Sequence, residues 1–279
     1  MKIAAVQMVS TPSVERNLET ARRLVGRAAA DGATLVVLPE YFCFMGKADR
    51  DKLAVAEAPG EGPIQRMLAE SARQHGVWLI GGTLPLTAAT ATTAARESAG
   101  AVDRVTNANL VFSPRGELAA RYDKMHLFAY DNGRERYDES RTLQAGRMPV
   151  AFDAGGLRVG LSVCYDLRFP ELYRTLARPP CDLISVPSAF TYTTGAAHWE
   201  VLLRARAIEN QCYVVAAAQG GTHENGRRTF GHSLVVDPWG EVVACRSEEG
   251  EGVVVAELSR ERIAGVRRQL PALEHRLEF

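Results

Sequence analysis

Three side chains in this sequence are of the types that acyl chemistry needs: Cys164, Glu40 and Lys124. A thiol can attack a carbonyl carbon, a carboxylate can take and return the thiol proton, and an ammonium can hold a developing oxyanion. Leu35-Val36-Val37-Leu38-Pro39-Glu40-Tyr41 reads as a buried strand that delivers a carboxylate at its carboxyl edge, where α/β proteins gather ligand sites. Alone, the segment also fits a Glu40 that is merely the first exposed residue after a strand. Arg121-Tyr122-Asp123-Lys124-Met125-His126-Leu127 is a strand end of mixed charge, and by itself fits a surface lysine beside a packing histidine. The stretch from Val159 to Glu171 runs an apolar strand straight into Cys164, with a polar turn and a helix behind it. That is the logic of a nucleophile elbow with thiol in place of hydroxyl, and a buried structural cysteine is the alternative.

These residues need elements to hold them. Short runs rich in Val, Ile and Leu predict strands at Ile3–Met8, Thr34–Leu38, Val77–Gly81, Ala108–Phe112, Glu117–Tyr122, Leu157–Val163, Leu183–Val186, Tyr213–Ala218, Gly231–Val236 and Val253–Glu257. Helical patterns lie between them at Ser13–Ala30, Pro63–His75, Pro170–Ala177, Ala196–Asn210 and Arg260–Gln269, with Ser13 as a helix start. Strands this continuously apolar imply sheets buried on both faces. Thr87–Ala101 has no periodic apolar face and reads as a surface loop between strands. No linker divides the chain, so one α/β domain of two packed sheets flanked by helices is expected over residues 1–279.

Composition narrows the partners. Lys plus Arg and Asp plus Glu each total 33, so the formal net charge is zero and no global field draws in nucleic acid or an anionic membrane. Any anionic substrate must be held by local Arg or Lys. No run approaches the roughly 18 apolar residues of a membrane span, and MKIAAVQMVS reads as a first strand rather than a signal peptide. Five cysteines without close pairs suit a reducing compartment, and the cytoplasm is the expected address. The six histidines are widely separated, with no HExxH and no His/Cys cluster, so no metal site is expected.

Taken together, LPEYF, YDKMHLF and CYDLRFPELYR resemble the nitrilase or carbon–nitrogen hydrolase superfamily, and the match runs from AAVQM in the first strand to PWGEVV near the end. The resemblance implies a four-layer α-β-β-α sandwich that dimerises through helices into eight layers. It implies that Cys164 is the nucleophile, Glu40 the general base and Lys124 the oxyanion-stabilising cation, helped by the backbone N–H of Tyr165, with no metal, flavin or nucleotide required. Glu139 aligns with a second glutamate that holds the lysine protonated and oriented, and Asp138 or Glu135 is the competing assignment across the polar Ala129–Asp138 segment. Arg168 is implied as the anchor for a substrate carboxylate, with an ion pair to Glu171 or Asp166 as the alternative. Ser188, Phe190 and Thr194 fall in segments that form a second wall, Trp199 is either pocket or core, and Arg204 and Arg206 are read as structural or dimer-related.

Within the superfamily, HWEVLLRARAIENQCYVVAAAQ, GHSLVVDPWGEVVA and VRRQLPALEHR look closest to the deaminated-glutathione amidase branch, with the ω-amidases next. The function this implies is hydrolysis of the amide of a small keto acid through a Cys164 thioester. The small-molecule amide and a second copy of the chain are the expected partners.

Overall fold

The computed structural model describes residues 1–87 and 104–277, so residues 88–101 of the expected surface loop lie outside the described residues. The first sheet is built from β1 (Lys2–Gln7), β2 (Leu35–Val37), β3 (Trp78–Ile80), β4 (Leu84–Thr87), β5 (Val105–Phe112) and β6 (Leu118–Asp123). A small hairpin, β7 (Ala129–Asp131) and β8 (Arg136–Asp138), follows where a polar loop was expected. The second sheet takes β9 (Val150–Asp153), β10 (Arg158–Leu161), β11 (Leu183–Ser185) and β12 (Tyr213–Ala216). A hairpin of β13 (Gly220–Thr222) and β14 (Arg228–Phe230) interrupts it before β15 (Leu234–Val236) and β16 (Val242–Cys245) complete it. Last, β17 (Gly252–Glu257) returns to pair antiparallel with β1.

Each sheet has a parallel centre, β1-β2-β3 in one and β10-β11-β12 in the other, with antiparallel strands outside it. Among the described residues five helices cover them: α1 (Val14–Ala30), α2 (Pro63–His75), α3 (Pro170–Leu176), α4 (Tyr192–Asn210) and α5 (Arg260–Gln269). Strand periodicity sorts the layers. Ile3, Ala5, Leu35 and Val37 point between the sheets, where they join Val159, Leu161 and Leu183 of the second sheet. Ala4, Val6 and Val36 point the other way, onto Leu18, Ala21, Leu24 and Val25 of α1 and Ile64, Met67 and Leu68 of α2. On the far side, Leu172 and Tyr173 of α3 and Trp199, Leu203 and Ala207 of α4 cover the second sheet. The order is α-β-β-α, as the resemblance implied.

The helix ends follow local chemistry. Ser13 caps α1 by accepting from the Arg16 N–H at 3.3 Å. Pro63 opens α2, and the left-handed Gly76 closes it. The fourth helix begins at Tyr192, four residues before the apolar pattern suggested, because the Thr191 hydroxyl caps it and meets the Thr194 hydroxyl at 2.8 Å. Glu40 therefore leaves the carboxyl end of β2 and Cys164 that of β10, the central parallel strands of the two sheets.

Candidate active site

The turn after β10 carries Cys164 at φ 49°, a left-handed conformation that a non-glycine residue adopts only where its surroundings impose it. Here they do. The Cys164 N–H donates to the Pro187 carbonyl at 2.9 Å, and the Val163 N–H donates to Asp166 at 2.8 Å. Arg206 of α4 holds the Leu167 carbonyl through Nε and Nη2, at 3.1 and 2.8 Å, which makes it structural. The elbow read from the sequence is present as a tight 3₁₀ turn, Cys164–Arg168, and Tyr165 lies at its start, where backbone N–H groups have no acceptor within the turn.

Glu40 is placed by a second strained exit. Tyr41 also has positive φ, 55°, and its N–H donates to the Thr83 hydroxyl at 2.9 Å. Gly82, at φ 58°, passes so near the Pro39 carbonyl that an added Cβ would stand 2.1 Å from its oxygen. The Glu40 carboxylate is 1% exposed and accepts three hydrogen bonds: from Asn107 Nδ2 at 2.9 Å, Lys124 Nζ at 2.9 Å and the Ala189 N–H at 3.0 Å. Gln219 donates to the Glu40 backbone carbonyl at 3.0 Å, tying the second half of the chain to the first beneath the site.

Lys124 is equally buried. Its ammonium bridges Glu40 and Glu139, meeting the Glu139 oxygens at 3.0 and 2.8 Å. Of the three acidic residues weighed for this place, Glu139 is the one that the structure sets on the lysine. Asp138 instead accepts from the Ser140 N–H and pairs with Arg141, and Glu135 lies farther out, in the β7–β8 hairpin region. Glu139 is itself held by the Tyr41 hydroxyl at 2.9 Å and the Phe128 N–H at 2.7 Å.

Electrostatics follow from this packing. Burial works to lower the Lys124 pKa, but the Glu139 and Glu40 carboxylates more than offset it and hold the ammonium protonated above its ordinary value. Burial works to raise Glu139, and the Lys124 charge with its hydrogen bonds brings it below the ordinary carboxylate value. Burial pushes the Cys164 thiol well up, the facing Glu40 carboxylate adds to the rise, and Lys124 opposes it. The resting sulfur is thus a protonated thiol beside a carboxylate that can take its proton.

The sequence-predicted wall residues divide. Tyr165, Arg168, Phe190 and Thr194 line a small inner cavity with Cys164, Glu40 and Glu139. Ser188 does not line it: fully buried, it donates its hydroxyl to the Val186 carbonyl at 3.2 Å and belongs to the segment after β11 that presents the Ala189 N–H to Glu40. Trp199 is core, donating Nε1 to the His232 carbonyl at 2.9 Å and packing on Phe190. Among the described residues Arg168 has no carboxylate partner. It contacts His198 Nδ1 at 3.3 Å and lies over the Phe190 and Tyr165 rings. Sequence reasoning passed over Tyr41, Asn107, Phe128 and Arg227, whose roles arise only from contacts across the fold. No group of three or more His, Cys, Asp or Glu able to hold a metal occurs among the described residues.

Two strained strand exits set a thiol and a carboxylate on one cavity, and a buried ammonium bridges that carboxylate to Glu139, all within an α-β-β-α sandwich. Residues 2–268 match the carbon–nitrogen hydrolase family, and the chain belongs to it, a hydrolase acting on carbon–nitrogen bonds. It is 41% identical to a deaminated glutathione amidase of Synechocystis sp. over 98% of this chain and 97% of that one. The NitFhit protein of C. elegans superposes with a TM-score of 0.86 at 39% identity, covering 99% of this chain and 64% of that longer one. An amidase from Nesterenkonia sp. AN1, seen with acrylamide added to its active-site cysteine, superposes with a TM-score of 0.77 at 26% identity, over 97% of this chain and 98% of that one.

Proposed function

We propose that this protein hydrolyses the amide of a small keto acid, deaminated glutathione giving 2-oxoglutarate and cysteinylglycine, through a thioester on Cys164. The observation that carries the chemistry is the Glu40–Lys124–Glu139 cluster closed around a neutral thiol. Glu40 takes the Sγ proton as sulfur attacks the amide carbon. The oxyanion forms beside Lys124 and the Tyr165 N–H. Lys124 already donates to three carboxylate oxygens, so its two-oxygen contact with Glu139 leaves one donor that can be exchanged for the oxyanion. Protonated Glu40 then gives its proton to the departing amine, and the same carboxylate next deprotonates the water that cleaves the thioester.

The branch of the family is supported by relatives of about 40% identity named for deaminated glutathione, and by Arg168, a guanidinium on the inner cavity free to receive a keto-acid carboxylate in two parallel hydrogen bonds. The reading places the protein in the cytoplasm as a homodimer. Five cysteines free of disulfides agree with that address, and no described helix is long and apolar enough to cross a membrane.

A side-by-side kcat/KM for deaminated glutathione and 2-oxoglutaramate, with intact mass after early acid quench, tests the proposal. We expect an acyl adduct on Cys164 and a preference of tenfold or more for deaminated glutathione, which is about 1.4 kcal/mol. Full activity in Cys164→Ser without any adduct would refute the thioester, and a reversed preference would refute the substrate.

A further inference from the structure

The inner cavity is narrow and carries Cys164, Glu40 and Arg168 on its lining. Beyond it opens a cleft of about 590 Å³, within the range of sites that hold small molecules. Only Phe128, Glu139 and Arg227 line both. Arg168 lies on the inner cavity alone, so an acyl chain anchored there leaves the other side of the scissile bond facing the outer cleft.

Arg227 stands at that boundary with binding capacity unspent. Its Nη2 donates to the Ala189 carbonyl at 2.7 Å, its guanidinium lies 5.1 Å from the Tyr137 ring centre, and its buried Nε has no hydrogen-bond partner. The side chain is held on a fixed support. The Arg227 N–H donates to Asn225 Oδ1 at 2.9 Å, Asn225 Nδ2 donates to the Gly46 carbonyl at 2.7 Å, and the Arg227 carbonyl accepts from the His223 N–H at 2.9 Å. Lys47 and Arg134 line the same cleft, and among the described residues neither they nor Arg227 have an ion-pair partner. The other cations there are already matched, Lys52 by Asp49, Arg136 by Asp131 and Arg141 by Asp138, and of the acidic lining residues Glu135 alone has no ion-pair partner among the described residues, so positive charge stays in excess. A cleft with unmatched positive charge and a preorganised guanidinium at its throat favours an anionic occupant.

We propose that Arg227, at the throat of the outer cleft, is the residue that binds the carboxylate end of the leaving amine and so sets the preference for a peptide amide over an unsubstituted one. This rests on the proposed function, which names cysteinylglycine as the leaving amine, and adds the residue that holds it.

The test has two arms. The first compares 2-oxoglutarate amides of ammonia and of cysteinylglycine in wild type and Arg227→Gln. The ratio of their kcat/KM values falls about 10- to 100-fold in the variant, chiefly through KM for the peptide amide. Arg227 also steadies Ala189, which holds Glu40, and a loss of that origin strikes both substrates and leaves the ratio unchanged; an unchanged ratio overturns the proposal. The second arm needs no variant and no hydrolysis: calorimetric binding of cysteinylglycine and of its C-terminal carboxamide to wild-type protein. The free carboxylate binds about tenfold tighter or more, and equal binding, or none by either, overturns the proposal. A protein that hydrolyses neither keto-acid amide refutes the acyl-side reading alone, and the binding arm then decides this one.

Discussion

The Tyr122 hydroxyl donates to Asp166 Oδ2 at 2.7 Å, a bond that joins the lysine-bearing strand end to the turn of the nucleophile. Asp166 is fully buried and accepts also from the N–H groups of Val163 and His126, at 2.8 and 3.0 Å, while His126 Nδ1 lies 2.7 Å from Oδ1. One carboxylate thus sets the register between Lys124 and Cys164.

Tyr122→Phe removes one of these donors and leaves the others, and should cost about 1–2 kcal/mol in urea denaturation. Asp166→Ala strands several buried donors at once and should cost at least about 3 kcal/mol, together with most of the activity. If Asp166→Ala were as stable as Tyr122→Phe, the carboxylate would not be the joint between the two motifs.

The buried Lys124 depends on its carboxylates for its charge. Burial alone draws its pKa down, and Glu139 is the largest influence opposing that. In Glu139→Gln the lysine pKa should fall, so the alkaline loss of kcat/KM should begin at lower pH than in wild type. Lys124→Ala should cost about 10²–10³ in kcat at every pH, the usual scale for an oxyanion donor. A pH profile of Glu139→Gln that overlies the wild type, apart from a uniform scale factor, would show that Glu139 does not support the lysine charge.

Glu40 acts on the sulfur in two opposing senses. Its charge raises the thiol pKa, yet its carboxylate is the acceptor for the thiol proton. Glu40→Gln should therefore lower the pH midpoint for alkylation of Cys164 by iodoacetamide while cutting hydrolysis by about 10²–10⁴. A midpoint that rose or stayed fixed would contradict the charge coupling.

Much of this site was legible in the sequence because its main parts stand at strand ends. Apolar runs located β2 and β10, with Glu40 and Cys164 just past their ends, while Lys124 in its mixed-charge segment was picked out by the family resemblance. The supports were not legible. Asn107 reaches Glu40 across 67 residues and the Ala189 N–H reaches it across 149, and no local pattern marks such contacts. Ser188 looked like a wall residue because its neighbours are, but its hydroxyl is taken by the Val186 carbonyl and its side chain is fully buried. Arg227 sits in His223-Glu224-Asn225-Gly226-Arg227, which reads as an ordinary hairpin turn until the fold lays it against the cavity. Short pairs such as β7 and β8 carry no apolar face and escape periodicity altogether.

His223 links stability to pH. Its Nδ1 lies 2.9 Å from the Ser10 carbonyl and its Nε2 lies 2.8 Å from the Thr229 hydroxyl, and burial lowers its pKa to about 4 from the ordinary 6.5. The unfolded chain therefore binds this proton at higher pH than the folded one. Stability from the neutral imidazole is complete above pH 6.5 and declines as pH falls toward 4, by about 3 kcal/mol for a shift of this size. Urea midpoints should drop over that window in wild type, and His223→Gln should show a shallower decline. Parallel declines in the two proteins would assign the acid sensitivity elsewhere.

The outer face of α4 makes the last prediction. Its sequence mixes apolar and charged residues, and one face packs on the second sheet through Trp199, Leu203 and Ala207. The opposite face leaves Val201 68% and Ile208 47% exposed, seven residues apart and so on one stripe. Gly240 packs against Ile208 in the turn that carries Trp239, itself 49% exposed. Val201, Ile208 and Trp239, with Arg204 (paired to Glu200) between the first two, offer exposed apolar side chains to a second copy of the chain, as the proposed homodimer requires. Val201→Glu places a carboxylate on this stripe, where a two-fold contact through it would bury the charge against the second copy. In sedimentation velocity the wild type should run as a dimer and Val201→Glu should shift toward monomer. A wild type that sediments as a monomer, or a variant that stays dimeric, would move the interface away from this helix.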